Sequence, residues 1–515
     1  MDSIPNLTLQ AKKLYINPSH EELKQWALEM PSTQLSEFNN SNTTTQVVAR
    51  LSKNTFIRTE NPSNISHEAI NHKEFEHVAQ LQDKYIQEQE MILIEGYIGK
   101  NPKTNTAARL LIEKSSANIA GMQKLLYFNN EGRPYQSELT VIYTPHMKAP
   151  KMTNGNSYPD DRLIAVDLEN KITRVFNSDY FGESKKGGLR MWNKLIYELG
   201  GLPMHAGAKI IPVGNKKKSV LIVGLSGTGK TTTTFSSQNN SQPVQDDFIA
   251  LMPDGHVLAS ENGCFAKTFG LDPQSEPEIY KAVCQEEAYL ENAPMNDKGH
   301  VDFFDSSYTK NGRAVFAMNR IENSADAMDM DKASVLLILN QNNNIIPGVA
   351  KLNKEQAAAY FMLGETQGTS AGGKDEDGKA LRVPGTNPFF PLPHACQGNR
   401  FLELLEKIDL EVYLLNTGMV ADNKKIKIHH SSAFIKAIAD ESIQWTEDPD
   451  FGYKIAHHVP GIEESDKGLL QPRLLYDAEN RLDEYNKHVE RFKKNRIDYM
   501  RSWPGIDPRL IEAVN

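Results

Sequence analysis

One run concentrates more chemistry than any other in the sequence: Gly224-Leu225-Ser226-Gly227-Thr228-Gly229-Lys230-Thr231, with Thr232 next. It matches GxxxxGK[ST] and follows directly on the apolar, β-rich run Ser219-Val220-Leu221-Ile222-Val223, the context such a loop requires. The glycines let backbone N–H groups turn inward around phosphate oxygens, Lys230 can reach the β and γ phosphates of a nucleotide such as ATP or ADP, and the Thr231 hydroxyl can ligate the accompanying Mg²⁺. Asp246-Asp247, followed by apolar Phe248-Ile249-Ala250-Leu251, supplies a carboxylate on a strand edge that can hold a metal beside the phosphates. The interval between Lys230 and Asp246 is short and leaves little room for the long crossover of a doubly wound nucleoside triphosphatase.

Upstream lie Tyr180-Phe181-Gly182-Glu183-Ser184-Lys185-Lys186-Gly187-Gly188 and, further on, His205. On residue type alone these are weak signals, since paired lysines are ordinarily solvated and a lone histidine is ordinarily not a ligand. Lys216-Lys217-Lys218, between Gly214-Asn215 and the apolar run, reads as a solvated hairpin tip rather than a binding patch.

The elements that must position these groups follow an α/β pattern. Residues 19–30 open with a Ser-x-x-Glu capping box and carry helical periodicity. Between 91 and 167, apolar runs such as Met91-Ile92-Leu93-Ile94, Leu139-Thr140-Val141-Ile142-Tyr143 and Leu163-Ile164-Ala165-Val166 read as strands, and 106–128 reads as helix. A boundary at Gly200-Gly201 divides the chain into an N-terminal substrate-binding domain, 1–200, and a C-terminal P-loop domain, 201–515. The glycine-rich, aperiodic stretch 364–385 is expected to be a lid over the site. No repeat of 20–50 residues is evident, which argues against a solenoid.

The chain has 515 residues, with 57 Lys+Arg against 66 Asp+Glu and a formal net charge of −9. That balance, with a pI near 5.9, gives no overall electrostatic reason to bind nucleic acid or a membrane surface. No stretch approaches the ~18 apolar residues that span a bilayer, and the N-terminus lacks a signal-like pattern, so a cytoplasmic protein is expected. Cys264, Cys284 and Cys396 are too few and too scattered for a disulfide framework, and are expected as buried, reduced thiols.

The order YFGESKKG, MHAGA, GLSGTGKTTTT, QDD, ENGCFAKT, SEPEIY and NGR resembles that of the ATP-dependent phosphoenolpyruvate carboxykinases. The likeness continues through VYLLNTG at 412–418, KKIKIHHSSAFIKAI at 424–438 and VPGI at 459–462, and is thinner over the first 170 residues, chiefly EGYIGKNP and the arginine block ARLSKNTFI. The resemblance implies a two-domain α/β architecture with the site in the cleft. It implies that Lys186 as a neutral amine, His205 and Asp247 ligate a transition metal such as Mn²⁺, while Thr231 holds the Mg²⁺ of the nucleotide. Lys230 and Lys267 would offset charge on the transferring phosphoryl group; Thr232, Glu276, Lys425 and Ser431 would meet the nucleotide; Arg313 would contact both phosphate and substrate. Arg50, Tyr180 and Ser226 would complete the substrate site.

The reaction so implied decarboxylates oxaloacetate and passes the γ-phosphate of ATP to the resulting enolate, giving phosphoenolpyruvate, CO₂ and ADP, in gluconeogenesis or its carboxylating reverse. Two alternatives stand beside it: a kinase using the same apparatus on another small acid or alcohol, and a nucleotide-binding regulator that has lost turnover. A monomer or small homo-oligomer acting on small molecules is expected.

Overall fold

The computed structural model describes residues 1–515 except 6, 8, 51, 103, 130–134, 226, 237 and 368–379. Ser226 and most of the expected lid therefore lie outside the described residues.

The chain is mixed α/β, as expected. The first eight-stranded sheet runs, in spatial order, Lys13–Ile16, Glu90–Ile98, Thr106–Glu113, Leu139–Thr144, Ile172–Phe176, Leu163–Asp167, Thr55–Arg58, Glu68–Ile70. The helix His20–Leu28 beside it begins with the expected capping box, Ser19 and Glu22 each accepting the other's backbone N–H. The stretch 106–128 differs from its expectation: only Ala117–Leu126 is α-helix, while Thr106–Glu113 is a strand buried along its whole length. It lies between an antiparallel and a parallel neighbour with both faces covered, so its apolar run shows no alternation and mimics a helical stretch.

The helix Phe181–Glu198 packs on this sheet through Gly187, where a Cβ would stand 3.2 Å from Thr173 and Val141 side-chain carbons. That close approach carries the following helix residues, and the lysines before them, into the interior.

The second eight-stranded sheet runs Gln242–Gln245, Ala206–Val213, Lys216–Val223, Val335–Asn340, Glu411–Asn416, Val349–Leu352, Lys454–His458, Gln444–Glu447. Lys216–Val223, Val335–Asn340 and Glu411–Asn416 pair in parallel, the arrangement of a sheet with both faces buried. Ala206–Val213 and Lys216–Val223 form a hairpin whose turn is Gly214-Asn215, with Gly214 at φ 55°, so the lysine triplet opens the second strand instead of forming the tip. Gln242–Gln245 is antiparallel to Ala206–Val213, hence parallel to Lys216–Val223, and it is reached after a helix of only six residues, Lys230–Phe235. This abbreviated crossover, skipping one strand, accounts for the short interval between Lys230 and Asp246.

A five-stranded sheet orders Gly263–Lys267, Arg313–Ala317, Tyr289–Glu291, Ser41–Thr43 and Thr33–Leu35. Residues 33–43, well before Gly200-Gly201 in sequence, thus join strands from beyond residue 260, with Tyr289–Glu291 parallel to Ser41–Thr43. The three cysteines are free, Cys264 buried and the other two half-buried. Among the described residues no helix is long and apolar enough to cross a membrane.

Candidate active site

A cavity of about 340 Å³ gathers residues from all three of these regions. In its lining the loop after Val223 presents Leu225, Gly227 and Gly229 and then Lys230, Thr231 and Thr232. Gly227 and Gly229 have φ 90° and 85°, a left-handed backbone open to glycine at little strain. Gly224 is demanded by space, since a Cβ there would lie 2.4 Å from Thr228 Oγ1 and 3.0 Å from Leu339 Cβ. Thr228 in turn donates to the Leu225 carbonyl (2.8 Å), and Thr232 donates to Glu276 Oε1 (2.7 Å), joining the loop to the helix Pro277–Val283.

Asp247 is surrounded by three lysines and the His205 ring. Its Oδ2 lies 2.5 Å from Lys186 Nζ and 3.0 Å from Lys185 Nζ; its Oδ1 lies 2.8 Å from Lys230 Nζ and 2.7 Å from His205 Nε2. Burial would raise the Asp247 carboxyl, yet Lys185, Lys186 and Lys230 hold it well below the carboxylate range. Lys185 is doubly paired, with Glu261 at 2.8 Å as well, and stays protonated despite its burial. Lys186 behaves differently: its ammonium sits 4.5 Å from the Phe248 ring and 4.6 Å from that of Phe389, and burial pushes it down to about 7. Burial, with Lys230 nearby, lowers His205 to about 4, so its ring is neutral.

The His205 Nδ1 lies 2.9 Å from the Thr386 carbonyl, which can only accept, so Nδ1 carries the proton and Nε2 is left with its lone pair facing Asp247. Two acceptors 2.7 Å apart, beside an amine poised to lose its proton, form a nitrogen, nitrogen, oxygen donor set. These residues fit a divalent transition metal.

The same cavity is lined by Arg50, Tyr180, Lys267 and Arg313. Arg313 is paired across the sheet with Lys267 on one side and Glu291 on the other, its guanidinium 5.0 Å from the Phe265 ring and its Nη2 donating to Asn311 Oδ1 (2.8 Å). Its buried Nε has no hydrogen-bond partner among the described residues. Arg50 arrives on a segment whose Gln46 and Val47 N–H groups donate to Asp179, beside Tyr180 (2.7 and 2.9 Å).

The cavity thus brings together Arg50, Tyr180, Lys186, His205, Leu225, Gly227, Gly229, Lys230, Thr231, Thr232, Asp247, Lys267, Glu276 and Arg313. Lys425, exposed on the short strand Lys424–Lys425, and Ser431, on the helix Ile428–Ala439, are not among its lining residues. Sequence reasoning missed Lys185, Glu261, Phe389 and Asn311. Lys185 offered a signal in its adjacency to Lys186, dismissed because a lysine pair is ordinarily solvated; both side chains are buried. Glu261 and Asn311 open the blocks ENGCFAKT and NGR but drew no role there, and Phe389 acts through contacts distant in sequence.

A model of the phosphoenolpyruvate carboxykinase family matches residues 12–465. The protein named phosphoenolpyruvate carboxykinase (ATP) of Staphylococcus aureus strain MRSA252 is 29% identical over 422 residues, covering 79% of this chain and 77% of the relative. Its counterparts from strains Newman and JH1 match with the same identity and coverage. The motifs from YFGESKKG to NGR each contribute to one cavity, the family match spans most of the sequence, and the chain belongs to the phosphoenolpyruvate carboxykinase family.

Proposed function

We propose that this chain is an ATP-dependent phosphoenolpyruvate carboxykinase, converting oxaloacetate and ATP to phosphoenolpyruvate, CO₂ and ADP. The observation that carries the proposal is one cavity lined by a phosphate loop, a nitrogen and oxygen donor set and two arginines. In this reading residues after 200 bind nucleotide and supply His205 and Asp247 to the metal and Arg313 to the substrate, and residues before it contribute Arg50 and Tyr180 to the substrate and Lys186 to the metal.

The backbone of the loop and Lys230 would receive the β and γ phosphates, and Thr231 would hold the nucleotide's Mg²⁺. Lys186, His205 and Asp247 would hold a second divalent cation, Mn²⁺ being suited to that donor set. Bound there, such a cation supplies positive charge that stabilises the enolate left by decarboxylation. Arg50 and Arg313 take the carboxylates of oxaloacetate, for which a planar guanidinium is suited. Lys267, opposite Arg313 on the neighbouring strand, adds positive charge where the phosphoryl group passes to the enolate oxygen. Glu276, bonded to Thr232, lies on the nucleotide side. Phe248 and Phe389 beside Lys186, and Phe265 beside Arg313, set apolar surface against these charged groups, which strengthens their interactions and helps keep water from the enolate.

A coupled assay supplying oxaloacetate, ATP and Mn²⁺ tests the proposal. Oxaloacetate-dependent formation of ADP with release of CO₂ is expected. ADP formation driven by other small acids or alcohols, with none from oxaloacetate, would point to the kinase alternative.

A further inference from the structure

Three stretches of chain at the substrate end are tied to a single buried amide. Asn311 is fully buried and precedes Gly312 at the entrance to the strand Arg313–Ala317. Its Oδ1 accepts from Arg313 Nη2 at 2.8 Å, and its Nδ2 donates to the Val48 carbonyl at 2.6 Å and, more weakly, to the Tyr180 hydroxyl at 3.4 Å. A guanidinium has only donors and a carbonyl only acceptors, so the amide oxygen must face Arg313 and the nitrogen Val48; no other orientation satisfies both.

The amide cannot drift, because its backbone is held on both sides. Asn311 N–H donates to Thr309 Oγ1 (3.0 Å) and Thr268 N–H donates to the Gly312 carbonyl (2.9 Å). Gly312 is required by proximity: a Cβ there would stand 2.5 Å from Thr268 Oγ1 and 3.0 Å from the Asn292 carbonyl. The arm that meets it is equally fixed. Thr45 exchanges hydrogen bonds with the Asn292 side chain at 2.8 and 2.7 Å, Gln46 and Val47 hang from Asp179, and Val48, two residues before Arg50, reaches Asn311.

We propose that Asn311 is a positioning residue for the dicarboxylate substrate, setting Arg313 and the arm carrying Arg50 in register with each other and with Tyr180. The proposal rests on the reading above of Arg50 and Arg313 as the groups that take the oxaloacetate carboxylates. A bidentate guanidinium contact depends on the tilt of its plane, which a charge alone does not fix. Asn311 supplies that tilt for Arg313 through an acceptor and fixes the opposing arm through a donor, a combination that neither leucine nor ionised aspartate reproduces. Among the described residues it makes no hydrogen bond to the phosphate loop or to Lys186, His205 and Asp247, so nucleotide and metal should be bound as before.

The test compares wild type, Asn311→Leu, Arg313→Lys and the double variant, with steady-state kinetics in oxaloacetate and ATP binding followed by calorimetry. Asn311→Leu should raise the KM for oxaloacetate or lower kcat/KM by about tenfold or more, the usual scale for losing a hydrogen bond to a charged group, with ATP affinity within about twofold of wild type. Because Asn311 acts through Arg313, its loss should add less than about twofold to the effect of Arg313→Lys. An unchanged oxaloacetate response, a parallel loss of ATP binding, or full additivity in the double variant overturns the assignment of Asn311. Should the leucine variant fail to fold, Asn311→Asp decides: it keeps the acceptor for Arg313 and loses the tie to Val48, so a raised oxaloacetate KM with unchanged ATP binding supports the proposal, and an unchanged KM overturns it. A wild-type chain that fails to turn over oxaloacetate would refute the carboxykinase reading itself, a result distinguishable from any of these.

Discussion

Replacing Glu291 with glutamine should remove the loss of stability that this one buried carboxyl causes between mildly acidic and mildly alkaline pH. Glu291 is fully buried, with Oε1 accepting the Phe181 N–H at 2.9 Å and Oε2 without a partner among the described residues. Burial pushes its carboxyl up to about 8 from an ordinary 4.5; the Phe181 N–H and Arg313 oppose the rise and the Asp179 carboxylate adds to it. The folded-state value lies above the unfolded one, so between 4.5 and about 8 the native protein holds more protons than the unfolded chain, and stability must fall as pH rises. The contribution is fully present below 4.5 and gone once pH has passed about 8. At about 1.4 kcal/mol per pH unit, that interval corresponds to roughly 5 kcal/mol. Glutamine retains the acceptor for Phe181 and does not titrate. Urea unfolding of wild type and Glu291→Gln, at intervals from pH 5 to pH 9, should therefore show the variant gaining steadily on the wild type by several kcal/mol. Parallel curves across that range would refute the reasoning.

Crystals grown with Mn²⁺ should show an anomalous peak between His205 Nε2 and Asp247 Oδ1, and a peak elsewhere would remove these residues from the metal site. Since the Lys186 amine must be neutral to bind a metal and its value is pushed down to about 7, Mn²⁺ affinity followed by electron paramagnetic resonance should weaken by about tenfold per pH unit below 7, whereas a flat profile would exclude Lys186 as a ligand. Arg50→Lys should lower kcat/KM for oxaloacetate by more than about tenfold, as expected for losing a bidentate carboxylate contact, while ATP binding measured by calorimetry stays constant.

The phosphate loop was legible in the sequence because its requirements are local: glycines, a lysine and a threonine in fixed order after an apolar strand. Lys186 and His205 were legible only through resemblance. Their chemistry depends on burial, and burial depends on Gly187 meeting Val141 and Thr173 on the sheet. Nothing around Lys185-Lys186 announces that Lys186 will lie against Phe248 and Phe389 and Lys185 beside Glu261, both meeting Asp247. The strand Thr106–Glu113 read as helix because neighbours on both sides erased its alternation. The arm before Arg50 could not be placed from sequence either, since it is held by Asp179, Asn292 and Asn311, all more than a hundred residues away.

The most direct test of carboxykinase chemistry in this cavity follows label from [γ-³²P]ATP in the presence of oxaloacetate and divalent metal. Wild type should transfer the label into phosphoenolpyruvate, equimolar with the CO₂ released, and Lys230→Ala should retain its fold while transferring less than about a tenth as fast, because Lys230 supplies the point charge at the β and γ phosphates. Labelled phosphoenolpyruvate formed at the wild-type rate by the alanine variant, or none formed by the wild type, would contradict the account.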